Sequence, residues 1–291
     1  MSLIAQKGHE MHHLAPATLT AYARGVADLE AHAGAPAATL DSEVVGAWLR
    51  RRAAEGVSPA SLQVYLQGVR QFIELPTSHT SPMRPIWRDY GRPPRRVRPI
   101  LAAELARMLK RCPDDQLGLR DAAMLAVGFA GALRRSEICA LDVADVESDG
   151  AHAILTVRRS KTDQSRRGQT VPLIDGELIH PLRRLEAYLD ACGIDDGAIF
   201  RGARRNRVVG SRRIHPDTVA RAIKRLGAEI GLDAAELSGH SLRSGMITSA
   251  AMAGARWDKI ADISRHSSMQ MLMVYIRDAQ RFLDHAGAGV L

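Results

Sequence analysis

The sequence predicts a mainly helical protein with a small antiparallel sheet, organised as two domains. Apolar residues recur at helical spacing in both halves of the chain, whereas alternating or β-branched runs are confined to residues 143–173. A proline- and arginine-rich stretch separates the halves, and 291 residues are enough to bury two cores. We therefore expect a flexible tail at 1–15, a helical domain at 16–80, a basic linker at 81–99 and a second domain at 100–291.

Three helices are predicted in the first domain from their start and stop signals. The first begins at Pro16, since proline is tolerated in the first helical turn, and Gly34 ends it. Asp41 caps a second helix that ends at Gly56, and Ser58 followed by proline opens a third. These short helices are expected to form a small bundle.

The linker is marked by its composition. Six prolines lie between residues 76 and 99, and residues 84–98 contain six arginines against one acid, Asp89. Because proline-rich segments are semi-extended and stiff, we expect a spacer that lies along an anionic partner.

The second domain should combine short strands with more numerous helices. Helices are predicted at 101–110, 118–131, 136–140, 177–191, 216–230, 241–253, 257–264 and 269–276, and strands at 143–146, 152–158 and 169–173. A second basic run, 201–213, carries six arginines and no acid, and is predicted to be an exposed loop.

The charge balance predicts an anionic partner, and charge alone fits nucleic acid or a membrane surface equally. Among nucleic acids, a duplex fits better than a single strand. The net charge is +8, and only five of the 40 basic residues are lysine, whereas arginine is the better fork for phosphate. Aromatic residues make up 4%, too few to favour single-strand binding by base stacking. The arginines expected to contact DNA, with a plain solvated surface as the alternative, are Arg50, Arg51, Arg70, Arg95, Arg96, Arg158, Arg159, Arg204, Arg205 and Arg212.

Cysteine usage and the N-terminus predict a cytoplasmic protein. Cys112, Cys139 and Cys192 are widely spaced and odd in number, as expected for buried thiols in a reducing compartment. The first residues lack the apolar run of a signal peptide, and no apolar stretch is long enough to span a bilayer. A formal zinc-protease signature, HEMHH at 9–13, lies in the predicted tail without the helix or third ligand that zinc catalysis needs, so no metal or other cofactor is expected.

Residues 240–275 contain the strongest functional signal. His240 and Arg243 are three apart and share a helix face, and Tyr275 follows within an apolar segment where packing in the core is the alternative reading. The basic groups expected to join them are Arg134, Lys161 and His266. With no carboxylate cluster for a metal, this set suits a phosphodiester substrate.

In this order and spacing, the six residues resemble those of the tyrosine recombinase (phage integrase) family. The form Gly239-His240-Ser241-x-Arg243-x-Gly245 is most similar to Cre-type members, and the layout of the chain resembles recombinases of Cre or Xer type. The resemblance covers nearly the whole chain. It implies an N-terminal core-binding (SAM-like) domain and a C-terminal catalytic domain that clamp duplex DNA at an inverted repeat, with a homotetramer assembled on the DNA.

The resemblance implies a role for each residue. Tyr275 attacks phosphorus and forms a 3′-phosphotyrosyl link, which conserves the energy needed for religation. Arg134 and Arg243 bind the non-bridging oxygens. His240 is placed as a base and His266 as a donor, although the division between them stays open.

Lys161 and Glu137 have supporting roles in this scheme. A lysine can give up its proton where arginine cannot, so Lys161 is the candidate acid for the leaving 5′ oxygen, with a simple phosphate contact as the alternative. Glu137, one turn after Arg134, is expected to brace that arginine or His240.

Two residues depart from the family pattern, and two other functions stay open. Ser244 stands where many members have histidine, and Arg265 where glycine is frequent. Neither change removes a catalytic group. The alternatives to a recombinase are a type IB topoisomerase, which relaxes supercoils with similar residues, and a DNA-binding protein of the same fold whose catalytic site is unused.

Overall fold

The computed structural model describes residue 14 and residues 16–75, 81–92, 97–158, 168–265 and 269–279. The chain divides into two compact units, Met1–Arg95 and Arg96–Leu291. The helices of the first unit are α1 (Pro16–Ala33), α2 (Ser42–Ala54), α3 (Pro59–Val69) and α4 (Met83–Tyr90). Those of the second are α5 (Ala102–Leu109), α6 (Gln116–Ala130), α7 (Arg135–Ala140), α8 (Pro181–Cys192), α9 (Pro216–Glu229), α10 (Ser241–Met252), α11 (Trp257–Ser264) and α12 (Met269–Ala279).

The first unit is a helical bundle, and its predicted caps are present. The side chain of Asp41 accepts hydrogen bonds from the amides of Glu43 and Val44, both at 2.9 Å. The hydroxyl of Ser58 accepts one from the Ser61 amide at 3.2 Å. Because these bonds satisfy amides that have no partner within the helix, α2 and α3 begin where the sequence predicts.

Helix α4 corrects the prediction for the linker. The sequence predicted a semi-extended segment, yet Met83–Tyr90 is helical and buries Met83 and Ile86 in the core of the first unit. Pro85 is the third residue of α4, within the first turn, where a missing amide hydrogen removes no bond inside the helix. Apolar contact with the bundle therefore determines the conformation here.

Helix α6 is the centre of the second unit. Its residues from 118 to 129 are nearly all buried, as expected for a helix surrounded by other elements. A three-stranded antiparallel sheet, β1 (Val146–Ser148), β2 (His152–Val157) and β3 (Gln169–Ile174), belongs to the same core. Its register pairs Val146 with Leu155, and Val157 with Gln169.

Two further segments differ from their predictions. The basic run 201–213 forms an antiparallel hairpin of β4 (Arg201–Ala203) and β5 (Val209–Arg213) instead of a loop. Helix α8 begins at Pro181 rather than near residue 177, because His180 before it adopts a left-handed backbone with φ of 51°. In the described ranges, no helix combines the length and apolar character of a membrane span.

Helices α10, α11 and α12 form a small separate core within the second unit. Ile247, Ala251, Ile260, Leu272 and Ile276 are buried together. Tyr275 packs partly against this cluster, so apolar burial fixes the position of α12 and of the tyrosine it carries.

Candidate active site

Four of the predicted site residues line one cavity of about 160 Å³. It is bordered by Arg134, at the start of α7, by His240 and Arg243, at the start of α10, and by Tyr275 on α12. Ser244 and Ile247 complete the wall. Residues separated by as many as 141 positions in the chain therefore share one small polar space.

The turn that follows α6 holds arginine side chains at and near this cavity. The amides of Ala132 and Leu133 donate to the carbonyls of Phe129 and Gly128, both at 2.9 Å, which is the Schellman pattern of helix ends. Ala132 occupies the left-handed position of that motif, with φ of 44°. The next carbonyls, of Gly131 and Ala132, then point toward arginine side chains and accept hydrogen bonds from them.

Arg243 is one of these arginines. Its Nη1 donates to the carbonyl oxygen of Ala132 at 2.7 Å, and the residue is buried. Burial, followed by repulsion from Arg134, lowers the pKa of Arg243 to about 10. At neutral pH the guanidinium therefore stays charged, next to the negative end of a helix dipole.

Glu137 binds Arg134 at two points. Its Oε2 accepts from the backbone amide of Arg134 at 2.9 Å, and its Oε1 accepts from Nη1 of that residue at 2.6 Å. Burial alone would raise the pKa of Glu137, but Arg265 and Arg134 hold it below its usual value. The carboxylate is therefore ionised at neutral pH and fixes the direction of the Arg134 side chain.

Arg265 is the contact that sequence reasoning missed. Its Nη2 donates to Oε2 of Glu137 at 2.7 Å, and the side chains of the two residues are 3% and 1% exposed. From the sequence, Arg265 is identified only as a departure from glycine. The available signal was its type: an arginine directly follows helix α11, where the resemblance leads one to expect glycine.

Two glycines of the motif explain how α10 reaches the cavity. A Cβ atom on Gly245 would lie 1.8 Å from the carbonyl oxygen of Ile100, so only glycine permits this approach. A Cβ atom on Gly239 would lie 2.8 Å from the side chain of Arg135. The amide of Ile100 also donates to the carbonyl of Ser241 at 3.0 Å, which fixes the first turn of the helix.

His240 and Tyr275 differ in their surroundings. His240 precedes the first residue of α10 and is exposed, with φ of −86° in the helical region, so it shares the face of Arg243 although it lies outside the helix. Ser244 donates from its hydroxyl to the carbonyl of His240 at 2.9 Å. Tyr275 is half-buried on α12.

Some of the remaining predicted residues lie outside the described part of the chain, and the surroundings of the others can be described. Lys161, His266, Arg95, Arg96, Arg159 and the HEMHH segment lie outside the described residues. Arg51 pairs with Glu55 at 2.9 Å, and Arg158 pairs with Asp145. Arg50 is exposed and Arg70 is half-buried.

The β4–β5 hairpin carries three of the predicted DNA contacts. Arg204, Arg205 and Arg212 are exposed, and none of them forms an ion pair with a described residue. Arg207 and Arg213 of the same segment pair with Asp115 and Asp142. The first three arginines therefore remain open to an external phosphate.

Comparison with known proteins decides the family. The model of the phage integrase family matches residues 99–281, which is more than half of the chain. The chain belongs to this family. The integrase/recombinase xerD homolog of Selenomonas ruminantium is 33% identical over 207 residues, covering 70% of this chain and 61% of that protein.

Other comparisons extend the similarity. Tyrosine recombinase XerC of Xanthomonas campestris pv. campestris (strain B100) is 31% identical over 180 residues, covering 53% of this chain and 55% of that protein. The chain thus spans only 55–61% of the length of these relatives. The post-cleavage complex of XerH site-specific recombinase with its palindromic difH substrate superposes with a TM-score of 0.68 at 13% identity, covering 93% of this chain and 79% of that one. At that identity the likeness shows the fold, which agrees with the predicted mainly helical class with small antiparallel sheets.

Proposed function

We propose that the chain is a site-specific tyrosine recombinase that cuts and rejoins duplex DNA through Tyr275. The observation that carries this proposal is the single cavity that Arg134, His240, Arg243 and Tyr275 line together. A phosphodiester placed there meets two guanidiniums and a phenol at once. Membership of the phage integrase family supports the same reaction.

The proposed reaction is an in-line transfer of a phosphoryl group. The Tyr275 oxygen forms a bond to phosphorus, the bond from phosphorus to the 5′ oxygen breaks, and the product is a 3′-phosphotyrosyl link with a free 5′ hydroxyl. Arg134 and Arg243 stabilise the negative charge that builds on the non-bridging oxygens, and such donors are worth about 3 kcal/mol each. Religation is the reverse attack by a 5′ hydroxyl and needs no ATP.

Proton transfers complete the scheme. A phenol titrates near pH 10 in solution, so attack at neutral pH needs a base or a positive field, for which His240 and Arg243 are the candidates. Lys161 protonates the leaving 5′ oxygen, since a desolvated lysine can release a proton and arginine cannot. His266 donates to a phosphate oxygen. The assignments of Lys161 and His266 rest on the sequence alone.

The proposed substrate is a DNA site with inverted repeats, and the proposed assembly is a homotetramer. Exchange of strands between two duplexes cuts four strands, and each cut uses one Tyr275. Arg204, Arg205 and Arg212 are proposed as phosphate contacts because their guanidiniums are exposed and free of carboxylate partners among the described residues. The three free cysteines are consistent with a cytoplasmic enzyme.

The experiment is trapping of a covalent adduct. The Tyr275→Phe variant selects its binding site from a pool of duplexes, and a nicked suicide substrate built on that site is then incubated with wild-type protein and with the variant. We expect a protein–DNA adduct on a denaturing gel with wild type only. Tight binding without any adduct would favour a non-catalytic DNA-binding protein, and relaxation of plasmids that lack the site would favour a type IB topoisomerase.

A further inference from the structure

Three charged side chains, two of them buried, form a series of ion pairs from the end of α11 to the cavity. Arg265 donates to Oε2 of Glu137 at 2.7 Å, and Oε1 of Glu137 accepts from Arg134 at 2.6 Å. The side chains of Arg265 and Glu137 are 3% and 1% exposed, whereas that of Arg134 is 17% exposed. Only the last member reaches the cavity.

The net charge of these three side chains depends on Arg265. Arg134 and Glu137 alone sum to zero, so the carboxylate would cancel the charge that a phosphate needs from Arg134. With Arg265 the group carries a net charge of +1, and Glu137 divides its attraction between two guanidiniums. Because neither Arg265 nor Glu137 is exposed, water screens these interactions weakly.

The backbone conformation at Arg265 favours glycine over arginine. Its φ is 52°, in the left-handed region that favours glycine, and its amide donates to the carbonyl of Ala261 at 2.8 Å as α11 ends. Glycine would adopt this conformation without strain. An arginine here is stabilised by what its side chain contacts, namely Glu137 and the Gly131 carbonyl, at 2.7 and 3.3 Å.

We propose that Arg265 is a positioning residue for strand cleavage: it neutralises Glu137, so that Arg134 keeps both its orientation and its charge for the scissile phosphate. The inference rests on the proposed recombinase function. It assigns a role in the site to a residue that never touches the DNA phosphate. The role is specific to chains that carry arginine at this left-handed position.

The first test separates cleavage from binding. Adduct formation is followed under single-turnover conditions at saturating nicked duplex for wild type, Arg265→Met and Arg265→Lys. We expect Arg265→Met to cleave about 30-fold more slowly with DNA affinity within about threefold of wild type, since only the transition state is affected. Arg265→Lys, which keeps the charge, should recover part of the rate.

The second test changes the charge of the scissile phosphate. In a methylphosphonate substrate, a methyl group replaces one non-bridging oxygen and removes the negative charge of the scissile phosphate. The deficit of Arg265→Met should shrink to about threefold on this substrate, because less charge needs to be stabilised. The double variant Glu137→Gln with Arg265→Met should also cleave faster than Arg265→Met alone, since removal of the carboxylate restores the charge balance.

Two further variants control for a general loss of stability caused by substituting a buried arginine. Arg120 forms a buried ion pair with Asp121 at 2.7 Å, away from the cavity, so Arg120→Met should lower thermal stability and leave the cleavage rate of the folded protein unchanged. Arg265→Gly removes the side chain and relieves the backbone strain, and should still cleave slowly. Wild-type rates for Arg265→Met and Arg265→Gly, or an equal deficit on both substrates, would overturn the proposal. Absence of any adduct with wild type would instead refute the recombinase function itself.

Discussion

The guanidinium of Arg243 donates from Nη1 to the carbonyl oxygen of Ala132 at 2.7 Å. This bond ties the first turn of α10 to the turn that ends α6. The planar guanidinium has five donors, and Arg243 also lines the cavity. Arg243 can therefore be anchored by the backbone and bind a phosphate oxygen at the same time.

A lysine at this position cannot do both. Arg243→Lys keeps the positive charge, but its single ammonium lacks the fork geometry. We expect single-turnover cleavage to fall by about 10²–10³-fold, the usual effect of losing one fixed donor to a developing oxyanion. The exposed Arg256, which pairs with Asp258 outside the cavity, provides the control: Arg256→Lys should cleave at the wild-type rate. Equal rates for Arg243→Lys and wild type would show that charge alone suffices.

Local spacing predicted part of this site, and tertiary contacts determined the rest. Glu137 is three positions from Arg134 at the start of a helix, so their contact could be expected from the sequence. The bond from Arg265 to Glu137 joins residues 128 positions apart and depends on a left-handed backbone at the end of α11. No periodicity in the sequence encodes that conformation.

The same contrast holds for the fold. The start of α2 followed from Asp41, because a cap acts within one turn. Helix α4 was missed because six prolines between residues 76 and 99 suggested an extended chain, whereas burial of Met83 and Ile86 in the bundle favours a helix. Composition therefore described the charge of this segment correctly but not its backbone.

Glu137 should leave a signature in the pH dependence of stability. Its pKa in the folded protein is lowered from 4.5, since attraction by Arg265 and Arg134 outweighs the effect of burial. Its ionised form therefore stabilises the fold above pH 4.5, and this contribution is lost as the pH falls toward the folded pKa. We expect the difference in unfolding free energy between wild type and Glu137→Gln to shrink as the pH falls below 4.5, toward the lowered pKa of the folded protein.

Urea unfolding at each pH measures this difference. Other carboxylates with lowered pKa values, such as Glu104 and Asp175, are common to both proteins and cancel in the comparison. A difference that stayed constant with pH would mean that Glu137 has the same pKa in the folded and unfolded chains.

The cysteine thiols should resist alkylation in the folded protein. Burial raises the pKa of Cys112 to about 12 and that of Cys139 to about 11, from 9.0 in both cases. The thiolate is the reactive form, so at about pH 8 Cys139 should react with iodoacetamide at least about 100-fold more slowly than in urea. Mass spectrometry of timed samples reports each site. Rapid labelling of Cys112 or Cys139 without denaturant would contradict these raised pKa values.

A matched pair of helix glycines tests the approach of α10 to Ile100. Gly245→Ala places a Cβ atom 1.8 Å from a backbone oxygen, which cannot move aside cheaply, so we expect a loss of about 1–3 kcal/mol or more. Gly46→Ala places one 3.5 Å from the end of the Arg50 side chain, an ordinary contact. That change should stabilise α2 by about 0.5–1 kcal/mol, since alanine favours the helix interior over glycine. Thermal unfolding measured by calorimetry compares the two, and a Gly245→Ala protein as stable as wild type would show that α10 can shift without cost.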